Sequence, residues 1–231
     1  DDYTIDKLEL EVSLLSKKIN LYQMEKAVDI YLENDVSMQA DELKFKRMHI
    51  IKVLCLNYGE GICNYLDKIA FGEYDWTQYG AIELLCLLAN KKDIRVDKTL
   101  KLISENINEF RYETEMNTLT FLRHFKKHSE ITLIFDNAIE KYSESITDLL
   151  HILEFYYQYD KNEAIKHKKY LRKIAINNVE ADFNIAEIAY ILKKDENGNY
   201  IPYDENGNVI NEKEIIEFIK IKAALFYIKM D

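Results

Sequence analysis

Between Ala81 and Asn197 the chain contains neither glycine nor proline. These two residue types build the tight turns of β-hairpins, so an interval this long without them argues against a structure made mainly of strands. Apolar residues make up 48% of the chain and charged residues 31%, a balance that favours a packed protein over a disordered one. The sequence therefore predicts an all-α fold.

The spacing of apolar residues predicts where the helices lie. Near the N-terminus, for example, Ile5, Leu8 and Val12 recur at three- and four-residue steps, which is the pattern of an amphipathic helix. The same pattern predicts helices over residues 4–19, 21–34, 37–58, 62–70, 76–90, 95–107, 110–127, 130–142, 145–158, 161–177, 181–193 and 213–230. Short polar joints separate these segments, so we expect them to alternate as the arms of helical hairpins.

Similar apolar segments recur along the chain at a nearly constant interval. They begin at Leu54, Leu85, Phe121, Ile152 and Ile188, so the steps are 31, 36, 31 and 36 residues. Such periods are typical of tetratricopeptide-like and HEAT-like arrays. We therefore predict an irregular α-solenoid of helical hairpins over residues 1–193, with a non-repetitive helical domain as the alternative.

The composition changes over residues 194–211. Asn197-Gly198 and Asn206-Gly207 lie nine residues apart, and Asn-Gly favours the type I′ turns of β-hairpins. This predicts a small β-meander with strands at residues 200–203 and 209–210, where Pro202 would lie at an edge. A calcium loop fits poorly, because the glycines do not have the EF-hand spacing. The predicted domains are thus a helical-repeat domain (1–193), the meander (194–211) and a C-terminal helix (212–231).

The C-terminal helix carries apolar residues around much of its circumference, among them Ile215, Phe218, Ile221, Leu225 and Ile228. A helix of this kind must be covered on several sides. We expect it to pack on the repeats or against a second copy of the chain, so a homodimer is one hypothesis.

The net charge and the cysteines indicate which kinds of partner and which cellular compartment to expect. The formal net charge is -10, so we expect no direct contact with nucleic acid from these residues. Cys55, Cys63 and Cys86 lie in or beside apolar helical segments, which predicts buried, reduced thiols. Neither a membrane span nor a signal peptide is apparent. These observations predict a cytoplasmic protein, and because the chain begins with Asp1 a preceding module is left open.

No cluster of residues predicts a reaction. His124 and His128 have a spacing that could hold zinc, but no glutamate follows His124 and two lysines lie between the histidines, so an exposed polar face is the simpler interpretation. Phosphate-loop and dinucleotide-binding motifs are absent. We predict a protein that is not an enzyme and has neither a cofactor nor a metal site.

The aromatic residues instead favour a binding function. The chain contains 17 tyrosines and 10 phenylalanines, and tyrosine offers rigid contact area together with a hydroxyl group. Helical solenoids bind extended ligands on a concave face, and asparagine and arginine can pair with peptide amides. The candidate peptide-binding residues on the central helices are Asn117, Arg123, Asn137, Tyr156 and Tyr157; tyrosines at the edge of the core are the alternative interpretation.

One segment resembles a known family. Residues 66–69 (Leu-Asp-Lys-Ile), followed by Tyr74-Asp-Trp76-Thr-Gln-Tyr79 and then Glu83-Leu-Leu85, resemble the sensor domain of Rgg-type transcriptional regulators. The resemblance implies a tetratricopeptide-like domain that binds a short signalling peptide in quorum sensing, dimerises through its C-terminal part and follows a helix-turn-helix module. The rival hypotheses are a HEAT-like scaffold or immunity protein that masks a basic partner and, with least support, an enzyme whose site is assembled from dispersed residues.

Overall fold

The structure of the protein is a computed structural model. It describes residues 11–33, 42–73, 75–176, 192–194, 200–202 and 212–230.

Helices account for most of the described residues, so the predicted all-α class is confirmed. Residues 11–16 are helical and are named α1. The following helices are α2 (Leu21–Glu33), α3 (Glu42–Tyr58), α4 (Cys63–Ala70), α5 (Gln78–Lys92), α6 (Val96–Asn106), α7 (Tyr112–Leu122), α8 (Ser129–Lys141), α9 (Ile146–Tyr159), α10 (Lys161–Ile165), α11 (Lys168–Ile176) and α12 (Glu212–Lys229). Single 3₁₀ turns occur at Gly59–Ile62 and Ile107–Glu109. In the part of the chain described, no helix is both long and apolar enough to cross a membrane.

A short two-stranded ladder precedes α12. Strand β1 (Leu192–Lys194) pairs antiparallel with β2 (Tyr200–Pro202), and Leu192 lies opposite Pro202. β1 takes residues that were predicted to end a helix at 193, whereas β2 falls within the predicted strand 200–203. The rest of the predicted helix 181–193, the other predicted strand, 209–210, and both Asn-Gly turns lie outside the described residues, so the meander stays a prediction.

The predicted helix 161–177 is interrupted in the structure. The N–H groups of Lys166 and His167 bond to carbonyls only three residues back, on Glu163 and Ala164, which tightens the chain and separates α10 from α11. At the start of α10 the Asp160 carboxylate accepts hydrogen bonds from the backbone N–H groups of Asn162 and Glu163, which caps the helix.

The chain divides into two compact units, Asp1–Ile131 (unit 1) and Thr132–Asp231 (unit 2). The predicted division at residues 193 and 211 stays a prediction.

Unit 1 is built around α5, which packs against α2, α3, α4, α6 and α7. Helix α5 buries nearly its whole length, from Gln78 to Ala89. At Gly80 a Cβ atom would stand 2.6 Å from the Leu32 Cδ2 atom of α2, which is far inside van der Waals contact. The absence of a side chain at Gly80 therefore leaves the space that the Leu32 side chain occupies between α2 and α5.

In unit 2, α12 packs against α11, and α9 packs against α10 and α11. The α12 helix is apolar on two faces. Its buried face carries Ile219, Ala223 and Phe226, and Met230 just beyond the helix is also buried, whereas Ile221, Leu225 and Ile228 are 57%, 63% and 66% exposed.

Candidate functional site

The predicted peptide-binding residues are divided between the two units. Asn117 on α7 is exposed, and its Nδ2 donates to the Glu113 carbonyl at 2.7 Å. Arg123, just beyond α7, is half-buried, and its Nε lies 3.0 Å from Nε2 of His124. These two residues belong to unit 1 and the other three to unit 2.

In unit 2, Asn137 is exposed on α8, whereas the neighbouring tyrosines of α9 differ sharply. Tyr156 is fully buried, so its side chain offers no surface to a peptide in this structure. Tyr157 is half-buried and meets the edge of Phe226 at 5.3 Å between ring centroids. Successive residues of a helix point in directions about 100° apart, which is why the two tyrosines do not form one surface.

A partly buried carboxylate joins three helices of unit 1. Glu83 on α5 accepts a hydrogen bond from the Tyr31 hydroxyl of α2 at 2.6 Å and one from Lys52 Nζ of α3 at 2.5 Å. Burial, together with the charge of Glu83, holds the pKa of Tyr31 far above its usual range. Tyr31 is therefore a permanent hydrogen-bond donor. We call this group the Glu83 clamp.

A similar group lies in unit 2. Asp136 on α8 contacts the Tyr156 hydroxyl of α9 at 3.0 Å and Nε2 of His167, between α10 and α11, at 2.8 Å. Burial and the hydrogen bond to Asp136 raise the pKa of Tyr156 well above its usual range, so this tyrosine also stays a donor. Phe135 stacks on the Tyr156 ring at 4.8 Å. We call this group the Asp136 clamp.

The cysteines are free and buried, as predicted. Burial raises the pKa of Cys55 to about 12 and also raises that of Cys86. It raises the pKa of Cys63 as well, although the neighbouring Arg95 acts in the opposite direction. Because the thiolate is the reactive form, none of these cysteines is poised as a nucleophile at neutral pH.

A small pocket opens in unit 1 between the end of α5, the start of α6 and the connection from α7 to α8. Its volume is about 60 Å³. The floor is apolar and consists of Ala89, Val96, Leu100 and Phe125. The rim is polar and consists of Asn90, Asp93, Lys126, Lys127 and His128. We call this the α5–α6 pocket.

Two polar contacts cross the rim of this pocket. Lys126 Nζ lies 3.7 Å from Asp93 Oδ1, and Nε2 of His128 lies 3.1 Å from Asp97 Oδ1. The Nδ1 atom of His128 accepts a hydrogen bond from the Glu130 backbone N–H at 3.2 Å, so the proton of the neutral ring lies on Nε2 and points to Asp97. His128 is thus engaged on both nitrogens.

The two histidines considered for zinc make separate contacts. His124 contacts Arg123 and His128 contacts Asp97. Among the described residues, no group of three histidine, cysteine or acidic side chains is placed to hold a metal ion.

The turn between α5 and α6, which contributes Asp93 to the rim of the pocket, has unusual backbone geometry. Asp93 and Arg95 have φ angles of 54° and 52°, in the left-handed region that L-residues rarely occupy. The Arg95 guanidinium is held by Asp67 Oδ2 at 2.5 Å, which anchors the strained turn. Backbone outliers of this kind cluster at functional sites, so the strained turn makes the neighbouring pocket a candidate functional site.

Several polar contacts between different segments of a unit join residues that are 31 positions apart. Within unit 1 these are Lys52–Glu83, Asn64–Arg95, Asp67–Lys98 and Asp97–His128, and within unit 2 Asp136–His167. The same interval separates two pairs of the apolar segments found in the sequence. A search for complementary polar residues at that interval could have located the charged pair of each clamp, whereas no local motif marks their tyrosines.

Comparison of the chain with protein-family models, with curated proteins and with solved structures finds no match.

Proposed function

We propose that the chain is a helical-repeat regulatory domain that binds a peptide or a protein segment. The observation that carries this proposal is the recurrence of contacts at a separation of 31 residues. In a helical-repeat array, equivalent positions of consecutive repeats lie side by side, so contacts recur once per repeat. The spacing supports an irregular tetratricopeptide- or HEAT-like solenoid, a fold that presents extended surfaces to ligands.

The regulatory part of the proposal includes pairing with a second copy through α12. The exposed residues Ile221, Leu225 and Ile228 follow one another at steps of four and three, which is the spacing of a coiled-coil seam. Glu217 and Lys222 flank this seam at positions that face each other across a parallel pair. Within the chain Glu217 contacts Lys220 and Lys222 contacts Glu154, and a second copy would exchange these contacts for Glu217–Lys222 pairs. The coiled-coil spacing of the exposed apolar residues is what favours a second copy as the occupant. Sedimentation equilibrium is expected to show a dimer that Leu225→Glu dissociates; a wild-type monomer at 100 μM would contradict it.

The full proposal is a cytoplasmic peptide sensor of a transcriptional regulator, with no enzymatic activity of its own and with the β-meander as an insertion before α12. The resemblance of residues 66–85 to Rgg-type sensor domains supports this form. The second candidate is a scaffold or immunity protein that masks a basic partner, which the net charge of -10 favours.

Calorimetry distinguishes the two candidates. We expect saturable binding of short apolar peptides, and we expect Arg123→Ala to weaken it by about tenfold, whereas Arg172→Ala on α11 serves as a matched control and leaves it unchanged. Saturable binding of a lysine-rich peptide alone would instead favour the scaffold. Binding of neither class of peptide would overturn the proposed function.

A further inference from the structure

We propose that Trp76, together with the carboxylates of Glu73 and Asp75, binds an arginine side chain of a peptide or protein partner. The three residues lie in the connection from α4 to α5 of unit 1, and we call them the Trp76 surface. This inference rests on the proposed binding of a peptide or protein segment and names a residue type that such a ligand carries.

The ring of Trp76 is exposed and uncovered. Among the described residues, two aromatic side chains are strongly exposed, Tyr22 at 67% and Trp76 at 54%. The Lys26 ammonium group lies 5.8 Å from the centre of the Tyr22 ring, so the chain covers that ring with a cation of its own. Within the described ranges, no cation and no second ring lies over Trp76. Because indole is the aromatic ring that binds cations best, this open ring can receive a cation from a partner.

Two carboxylates beside the ring supply negative charge. Glu73 and Asp75 are exposed, and in the part of the chain that the structure describes neither forms an ion pair. Asp75 Oδ1 accepts a hydrogen bond from the Thr77 backbone N–H at 2.8 Å, which leaves Oδ2 open. The nearest basic residue in the sequence is Lys68, in the last turn of α4. With Lys68 and the roughly half positive charge of the α5 N-terminus counted, the surface is still negative and favours a cation.

Hydrogen bonds fix the connection that carries Trp76. The Gln78 side chain is buried, and its Nε2 donates to the Ala70 carbonyl at 3.0 Å, which joins the two ends of the connection. The backbone N–H of Gln78 donates to the Asp75 carbonyl, also at 3.0 Å. Since these bonds already order the backbone on both sides of Trp76, a ligand loses less of its binding free energy in ordering the surface.

A guanidinium group matches this surface better than an ammonium group. It is planar, so it can stack on the indole ring while its N–H groups point outward to carboxylates. Three residues of chain span at most about 11 Å, so Glu73 and Asp75 both lie near a group stacked on Trp76. The indole N–H has no acceptor among the described residues and can donate to a carbonyl of the ligand. Tryptophan with such contacts is a typical anchor of binding interfaces.

The test uses the fluorescence of Trp76, which is the only tryptophan of the chain and therefore reports on this surface directly. The probe is the capped peptide acetyl-Leu-Ala-Arg-Ala-Leu-amide, and two relatives carry lysine or the neutral isostere citrulline at the central position. We expect the arginine peptide to change the emission saturably. The lysine peptide should bind about threefold more weakly and the citrulline peptide at least tenfold more weakly. An unchanged emission, or equal binding of the arginine peptide and either relative, overturns the inference.

Variants locate the interaction. Glu73→Gln should weaken binding of the arginine peptide about fivefold. Glu60→Gln, at an exposed carboxylate in the 3₁₀ turn before α4, is the matched control and should leave binding unchanged. Trp76→Leu keeps an apolar side chain but removes the ring, so calorimetry should show at least tenfold weaker binding.

Unchanged circular dichroism and thermal midpoints show that these variants are folded. Full affinity of Trp76→Leu overturns the inference. So does an equal loss in the two glutamate variants, because a general attraction to the acidic chain would produce it.

A last comparison separates the ligand source and the proposed function. If free arginine binds more tightly than the arginine peptide, the ligand is an amino acid and the assignment to a peptide or protein is wrong. If apolar peptides bind in calorimetry while the arginine peptide leaves the Trp76 emission unchanged, the inference fails and the proposed function stands. Failure of every peptide, apolar and basic, removes both.

Discussion

The Glu83 clamp and the Asp136 clamp each join three segments of the chain through one carboxylate, but the two carboxylates differ in their exposure to water and in their basic partner. In each, a carboxylate accepts a hydrogen bond from a buried tyrosine and contacts a basic side chain on a third segment. The Glu83 side chain is 16% exposed and pairs with lysine, whereas Asp136 is 41% exposed and meets histidine. Because electrostatic contacts are stronger where water is excluded, the comparison teaches that the same arrangement should contribute more to stability in unit 1.

The largest expected effect concerns the thiols, which are confined to unit 1. Burial excludes the reagent and raises the pKa of Cys55 to about 12, so little thiolate exists in the folded chain at pH 8. We expect Ellman's reagent to label the native protein at least about a thousandfold more slowly than the chain unfolded in urea. Rapid labelling of any cysteine in the native protein would contradict this prediction, because it would show that unit 1 opens often enough to expose its core.

Glu83→Ala is expected to be the most damaging of the clamp substitutions. It leaves the Tyr31 hydroxyl and the Lys52 ammonium without their acceptor in a largely buried setting, which should lower the free energy of unfolding by about 3 kcal/mol. Urea unfolding followed by circular dichroism measures the change. Glu105→Ala, an exposed site on α6, is the control and should cost less than about 0.5 kcal/mol.

Asp136→Ala should cost about 1–2 kcal/mol, since water can replace part of what a half-exposed carboxylate provides. The effect of Asp136→Ala on thiol labelling tests whether the two units open separately. If the units open separately, Asp136→Ala leaves the labelling of the cysteines unchanged, while Glu83→Ala accelerates it. A larger loss of stability for Asp136→Ala than for Glu83→Ala would contradict the ranking by burial.

The smallest effect is expected at the end of α5. Asp93 occupies a left-handed conformation with a φ of 54°, at the C-terminal cap position where glycine is usual. Asp93→Gly should raise the free energy of unfolding by about 0.5–1 kcal/mol, less the small contribution of its exposed pair with Lys126. Thermal unfolding measures this gain. Asp75→Gly, in the turn before α5, is the control and should give no comparable gain.

Much of the fold could be predicted because apolar spacing is a local signal. The predicted helices 76–90 and 145–158 correspond to α5 (Gln78–Lys92) and α9 (Ile146–Tyr159), each displaced by one or two residues. The division between α10 and α11 was missed, since nothing in the local pattern shows that His167 lies against Asp136, 31 positions away.

The site was harder to predict than the helices. Tyr156 and Tyr157 have the same chemistry and neighbouring positions, so composition could not tell the buried residue from the half-buried one. The α5–α6 pocket combines Asn90 with Lys126 and Lys127 from a distant connection. Only the packing of α5, α6 and the segment after α7 brings these residues together, and no sequence motif indicates that packing.

The contact at Gly80 bears on how this protein can change over generations. With a Cβ atom only 2.6 Å from Leu32 Cδ2, positions 32 and 80 share one fixed volume between α2 and α5. A lineage that gains a side chain at position 80 must turn the Leu32 side chain aside, reduce its size, or move α2 and with it the Tyr31 hydroxyl of the Glu83 clamp. Substitutions at positions 32 and 80 are therefore expected to have coupled effects on stability.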